Sequence, residues 1–246
     1  MTSMRRRTIW DWHFWLGLTL ALPLLWWMGT AMVFAIWPID HVRGRTLSTG
    51  VKAPMADLTG VRLPEWLLDG AQHVTLQAVE GHPVAIVHRG KSVQVVDLVS
   101  GSMVGSVIRA GWAVEAARRD CLGSFSPAEI LLFDEEGRGR RLDAPDMAIR
   151  PLPSEYAGPL PVYAFHLDQG PSLHLYVDAH TGEVRARRSG IWRFYDWCFR
   201  LHSLEFTSDG TKRGLMLVIC GLWFVLGGTG MYMAWRTRKG RFGSRG

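Results

Sequence analysis

Two long stretches without a single charge constrain this chain more than any other feature. Residues 14–39 and 214–235 run for 26 and 22 positions with no Asp, Glu, Lys or Arg. At about 1.5 Å of rise per residue, either stretch crosses a hydrocarbon core of about 30 Å. Each is therefore expected to be a transmembrane helix, with the residues between them folded outside the bilayer. Trp10, Trp12 and Trp15 flank the start of the first run, Trp37 its end and Trp235 the end of the second. Such amphipathic rings favour headgroup depth. A cleavable export signal also begins with a basic segment, but its apolar part is about 7–15 residues long and a small-residue cleavage site follows. The first run is longer and carries bulky Trp26, Trp27 and Phe34, so an uncleaved anchor is expected.

The formal charge of +6 and isoelectric point near 9.6 invite a nucleic-acid reading. Resolved by segment, that reading disappears. Residues 1–13 are net +2 and residues 214–246 net +5, which leaves the middle at −1. Basic residues that abut apolar runs stay on the cytoplasmic side. Both termini are thus expected in the cytoplasm of a bacterium, the two runs in its inner membrane, and residues 40–213 in the periplasm. The lipid bilayer is an expected partner and nucleic acid is not. Cys121, Cys198 and Cys220 show no CxxC spacing, so no metal or redox motif follows. Cys121 and Cys198 both fall in the segment expected to be exported, where a bridge is chemically open, but scattered cysteines read first as unpaired fillers.

The middle of the chain contains an internal repeat. VDLVSGSM at 96–103 aligns on VDAHTGEV at 177–184, and upstream PVAIVH at 83–88 aligns on PVYAFH at 161–166. The offsets are 81 and 78 residues, so the second copy is expected to have a hairpin loop three residues longer, at the DQGP stretch 168–171. Two copies of one strand pair are the simplest reading. Asp97 and Asp178 are expected to cap turns through their carboxylates, with Gly101 and Gly182 supplying positive φ. Alternation puts Val84, Ile86 and His88 on one strand face and Ala85 and Val87 on the other. Short helical patterns precede the two strand sets, at 64–70 and 111–121.

The expected fold class is membrane α+β. A cytoplasmic basic tail (1–13) leads into the first transmembrane helix (14–39). Two helix-plus-antiparallel-sheet repeats follow (40–109 and 110–190), then an interfacial aromatic segment (191–213). The second transmembrane helix (214–235) and a second basic tail (236–246) complete the order.

No HExxH, GxSxG or GxxxxGK[ST] motif occurs, so hydrolase and nucleotide chemistry have no motif to rest on. What remains is histidine at the membrane. His13 opens the first run, and His202 precedes the second within an aromatic stretch. Imidazole is a common axial haem ligand, and an ionisable group at a membrane helix end is a functional candidate. Lying on opposite membrane faces, the two histidines cannot ligate one iron together. A two-fold dimer with its axis along the membrane normal pairs each histidine with its own copy, giving one bis-histidine site per leaflet. Thr30 in MGTAM and Thr229 in GGTGM are expected to pack helices, as is Gly228 on a small-residue face, where a bulky substitution should break association. His41, His174 and His180 read as solvated positions. His88 and His166, equivalent in the repeat, read as half-exposed strand ends.

A helix followed by a curled antiparallel sheet that ends in a VDAHTGEV hairpin resembles the PepSY domain. With its two flanking helices the chain resembles the PepSY-associated transmembrane proteins. The likeness is carried by HFWLG at 13–17, WPIDHVRG at 37–44, RLHSL at 200–204 and GGTGMYMAW at 227–235. The larger relatives carry four or more spanning helices. Some are thought to bind haem between helix histidines and to pass electrons to ferric siderophores. For this chain the resemblance implies haem b on His13 and His202, a ferric siderophore as electron acceptor, and a ferric reductase component. It also admits a membrane-anchored periplasmic binding or regulatory module, and an accessory subunit that completes its sites with another membrane protein.

Overall fold

The computed structural model describes residues 2–57, 59, 61, 63–167 and 172–242. The chain divides into two compact units, one formed by its two ends and the other by Pro38–Phe194.

In the first unit α1 (Thr2–Ile36) is apolar enough to cross a bilayer over Thr8–Ile36. It ends three residues before the end of the charge-free run. Pro38 explains this, since a proline disfavours helical geometry at the residue before it, here Trp37. At its start α1 continues back through the residues expected as a tail, because a helix backbone can outrun its apolar segment once the polar residues reach water.

The second unit is built from two sheets. After α2 (Ile39–Val42) and α3 (Glu65–Leu68) come β1 (His73–Val79), β2 (His82–Arg89), β3 (Ser92–Asp97) and β4 (Ser102–Gly105). Next come α4 (Ala110–Asp120), β5 (Pro127–Phe133), β6 (Arg138–Arg141), β7 (Arg150–Pro151), β8 (Val162–Leu167), β9 (Leu173–Asp178) and β10 (Val184–Arg188). Among the described residues the strands pair antiparallel, in the orders β1-β2-β3-β4 and β10-β9-β8-β5-β6-β7. Each sheet thus contains a helix followed by a four-stranded meander, and the second carries β6 and β7 as an insertion on its edge. The longer hairpin expected at 168–171 lies outside the described residues.

The two sheets share one core. Val79, Val84 and Val95 of the first pack with Trp112, Ala113, Ala116 and Ala117 of α4 and with Tyr163, Phe165, Leu175 and Val177 of the second. Alternation along β2 sends Val84 into this core while Ala85 and Val87 pack with Leu67 on the other face. The far face of the second sheet is covered by Leu152, Tyr156 and Leu160 over Leu131, Phe133 and Tyr176.

The chain closes with the amphipathic α5 (Gly190–His202) and with α6 (Asp209–Phe242). α6 is apolar enough to cross a bilayer over Asp209–Arg238. It exceeds the expected 214–235 at both ends for the same reason as α1.

Candidate functional site

In the first unit the contacts His13–Thr229, Gly17–Leu226 and Trp27–Trp223 pair rising numbers on α1 with falling numbers on α6. The helices are antiparallel, so the start of α1 and the end of α6 lie at the same end of the pair. That register brings together residues the sequence had singled out separately. His13 Nδ1 lies 2.9 Å from Thr229 Oγ1. His202, at the end of α5, has its Nδ1 2.8 Å from Thr30 Oγ1 on α1. Each histidine is therefore held by a threonine of another helix. Thr30 and Thr229, expected as packing residues, are its hydrogen-bond partners.

The two pairs are well separated. Thr30 lies seventeen positions after His13 on α1, a rise of about 25 Å. His13 and His202 accordingly occupy two sites, one near each end of the spanning segments.

The surroundings of the two rings differ. Beside His13 is an apolar groove of about 580 Å³, lined by Leu20, Leu24, Trp223 and Leu226 and left open by Gly17, Gly227 and Gly230. A Cβ on Gly230 would lie 3.3 Å from His13 Cε1, whereas one on Gly228 would have nothing within 4 Å among the described residues. Within the chain, the small residue of α6 that lies against His13 of α1 is Gly230, one position beyond Thr229, and Gly228 stays open on the helix surface. His202 sits among rings instead, with Phe34 edge-on at 5.3 Å and Trp27 at 6.1 Å between centroids. Phe34 also meets Tyr195 at 4.9 Å.

For both histidines the ring nitrogen used in the hydrogen bond is Nδ1, and Nε2 has no hydrogen-bond partner among the described residues. A lone pair on Nε2, backed by a fixed Nδ1 contact, is what an axial metal ligand requires. The apolar groove at His13 has the space and polarity for a flat hydrophobic cofactor. At His13 the residues present therefore fit haem.

The second unit holds a separate polar cluster. Cross-strand register sets His166 of β8 opposite His174 of β9, with their rings stacked at 3.9 Å. His166 Nδ1 is 3.0 Å from Glu129 of β5, and His174 Nδ1 is 2.5 Å from Glu155. Tyr176 donates to Glu155 at 2.7 Å and Arg193 of α5 at 3.1 Å. Arg150 and Arg141 lie 2.9 and 3.4 Å from Glu129. Burial pushes the Glu155 carboxyl up, but hydrogen bonds from His174, Tyr176 and Arg193 prevail and hold it at about 2. Burial, and then the neighbouring His174, depress the His166 imidazole against the opposing pull of Glu129.

His174, expected as solvated, is half-buried here because register and the segment before β8 both close over it. The alignment that puts PVYAFH and VDAHTG on successive strands could have found this pair. Glu155 and Arg193 left no such signal. The His88 ring lies 5.8 Å from that of His73 on the neighbouring strand. Among the described residues no group of three His, Cys, Asp or Glu is arranged to hold a metal. Cys121, Cys198 and Cys220 are free thiols.

The remaining site residues lie in two matching turns. Asp97 Oδ1 accepts from the backbone N–H groups of Val99 and Ser100, and Asp178 Oδ1 from those of His180 and Thr181. Gly101 and Gly182 take φ of 68° and 72°.

Compared with known proteins, residues 10–246 match the model of one family, described as PepSY-associated TM region. No curated protein and no solved structure matches the chain.

Proposed function

The chain belongs to the PepSY-associated TM family, and from that premise we propose that it is a haem-carrying electron conduit of the bacterial inner membrane. Its termini are cytoplasmic and Pro38–Phe194 is periplasmic. The observation that carries the reading is the pair of histidine–threonine contacts about 25 Å apart along α1, each leaving Nε2 open. Haem supplies a one-electron couple at each level. His13 and His202 would hold it, the groove beside His13 would exclude water, and the rings around His202 would do the same at the other level.

Since each site offers one imidazole, the second ligand comes from another chain. A two-fold homodimer supplies it symmetrically and makes a four-helix bundle of the spanning helices. The electron acceptor on the exported side is a ferric chelate of the siderophore class, which makes the chain a component of a ferric reductase in iron assimilation. The test is an oxidised and dithionite-reduced absorption spectrum of the detergent-purified protein, with His13→Ala and His202→Ala beside it. Haem bands that weaken in each variant support the reading, and a colourless wild type after haem addition refutes it.

A second reading, a periplasmic binding module, is favoured by a polar cleft of about 410 Å³ lined by Gln77, Glu80, Arg119, Asp120, Glu183 and Arg187. Arg119 is ion-paired with Glu80, yet its buried Nε has no acceptor among the described residues. Such a group fits a partner that brings a carboxylate or a backbone carbonyl. Loss of partner capture in Arg119→Ala, with haem content unchanged, would separate this reading from the first.

A further inference from the structure

In both histidine–threonine pairs the hydroxyl has a second engagement. Thr229 Oγ1 lies 2.8 Å from the carbonyl oxygen of Val225 and 2.9 Å from that of Leu226. Thr30 Oγ1 lies 3.1 Å from the carbonyl oxygens of both Trp26 and Trp27. These are the bonds a threonine makes back onto its own helix.

A hydroxyl has one hydrogen to give. Donated to the imidazole, it would leave the threonine oxygen against two carbonyl oxygens with no proton between them, a repulsive arrangement at these separations. Donated to the carbonyls, it leaves a lone pair on Oγ1 turned to the ring. The imidazole must then bring the proton on Nδ1.

We propose that Thr30 and Thr229 are positioning residues that hold His202 and His13 in the Nδ1–H tautomer, so that Nε2 of each ring carries the free lone pair. The purpose of this device rests on the haem reading, but the tautomer is a property of the chain without cofactor. A neutral histidine free of such contacts prefers its proton on Nε2, and the partner of the other nitrogen decides which tautomer a protein keeps. Carboxylates commonly stand behind ligating histidines and add negative charge to the ring. Inside an apolar span a carboxylate is costly. A hydroxyl already engaged by a carbonyl fixes tautomer and ring direction without introducing a charge. The same solution appears at both levels, from α6 toward His13 and from α1 toward His202.

The test is the ¹⁵N NMR spectrum of histidine-labelled, full-length protein in detergent, prepared without haem and above the histidine titration range. Ring-nitrogen shifts separate protonated from bare nitrogens. The expected result is Nδ1–H for His13 and His202 in the wild type. Thr30→Val should convert His202 toward Nε2–H and leave His13 unchanged, and Thr229→Val should do the reverse. Each unchanged ring reports that the helices remain folded. Thr30→Ser and Thr229→Ser should keep the wild-type tautomers. Nε2–H rings in the wild type, rings indifferent to valine, or serine variants that behave like valine would overturn the assignment. Haem uptake is measured on the same samples. A wild type with both Nδ1–H tautomers that takes up no haem refutes the haem reading alone, and one that binds haem but shows Nε2–H rings refutes the positioning role alone.

Discussion

Gly230 is the position at which α6 runs tightest against His13. A Cβ there would press on the imidazole edge, 3.3 Å from Cε1 and 3.7 Å from Nε2. Gly230→Leu should therefore displace the ring, break its hydrogen bond to Thr229 and fill the groove. The expected readout is loss of haem from the His13 site with the His202 site retained, seen by comparing the variant with Gly230→Leu/His202→Ala, which should hold none. Gly228→Leu should leave the His13–Thr229 contact intact, because its Cβ meets nothing within 4 Å among the described residues of the chain. The sequence marked His13, His202, Thr30 and Thr229 as individual residues of interest. It did not pair them, because the pairing depends on the antiparallel register of α1 and α6, which no local pattern encodes. The place of Gly230 beside His13 was hidden for the same reason: a run of small residues shows that close approach is possible but not which turn of the helix faces the neighbour.

Between elements, the two VD hairpins make the sharpest comparison. Gly101 and Gly182 share a left-handed conformation, but a Cβ on Gly182 would lie 2.8 Å from Val79 Cγ1, while one on Gly101 would meet nothing within 4 Å. Gly101→Ala should cost about 1–2 kcal/mol from backbone strain alone. Gly182→Ala should cost about 2–4 kcal/mol, because the clash with the buried core adds to that strain. Denaturant unfolding of the two full-length variants, followed by a signal from the sheet domain, tests the difference. The strand faces and both turns were readable because side-chain alternation and turn chemistry are local. The inserted β6 and β7 were not, since Arg138–Arg141 and Arg150–Pro151 are too short and too basic to stand out as strands.

His166 and Glu155 give the same domain an acid response. The depressed His166 stays neutral where the unfolded chain would already bind a proton, so its contribution is lost as pH falls below about 6.5. The depressed Glu155 contributes above about 4.5, and that contribution is lost as pH falls toward 2. The two effects have the same sign, and the melting temperature of the domain should fall continuously on acidification. His166→Asn should flatten the limb just below neutrality, and Glu155→Gln the limb below pH 4.5. Thermal melts across this pH range check both, and a flat wild-type profile would contradict the assignment.

For the molecule as a whole, charge-free length was enough to find the two membrane helices, and the internal repeat was enough to find a β-rich domain between them. The exact helix ends were not legible. Backbone hydrogen bonding carries α1 and α6 past their apolar segments, and Pro38 stops α1 early. The candidate site was legible as chemistry but not as geometry, because His202 reaches α1 from α5, a short amphipathic helix that the sequence presented only as an aromatic stretch. The separation of the two histidine levels, about 25 Å by helix rise, is the ground for the proposed homodimer. Native mass measurement in mild detergent should give a dimer carrying two haems, and a monomer carrying haem would require a ligand this chain does not show.

Under the proposed function, His13 and His202 hold haem at two separate levels. Its most direct test is the oxidised and dithionite-reduced absorption spectrum of the purified wild type beside His13→Ala, His202→Ala and the double variant. Haem bands are expected in the wild type, with one site's share lost in each single variant and none left in the double. Bands that persist in the double variant, or a wild type that stays colourless after haem is supplied, would contradict it.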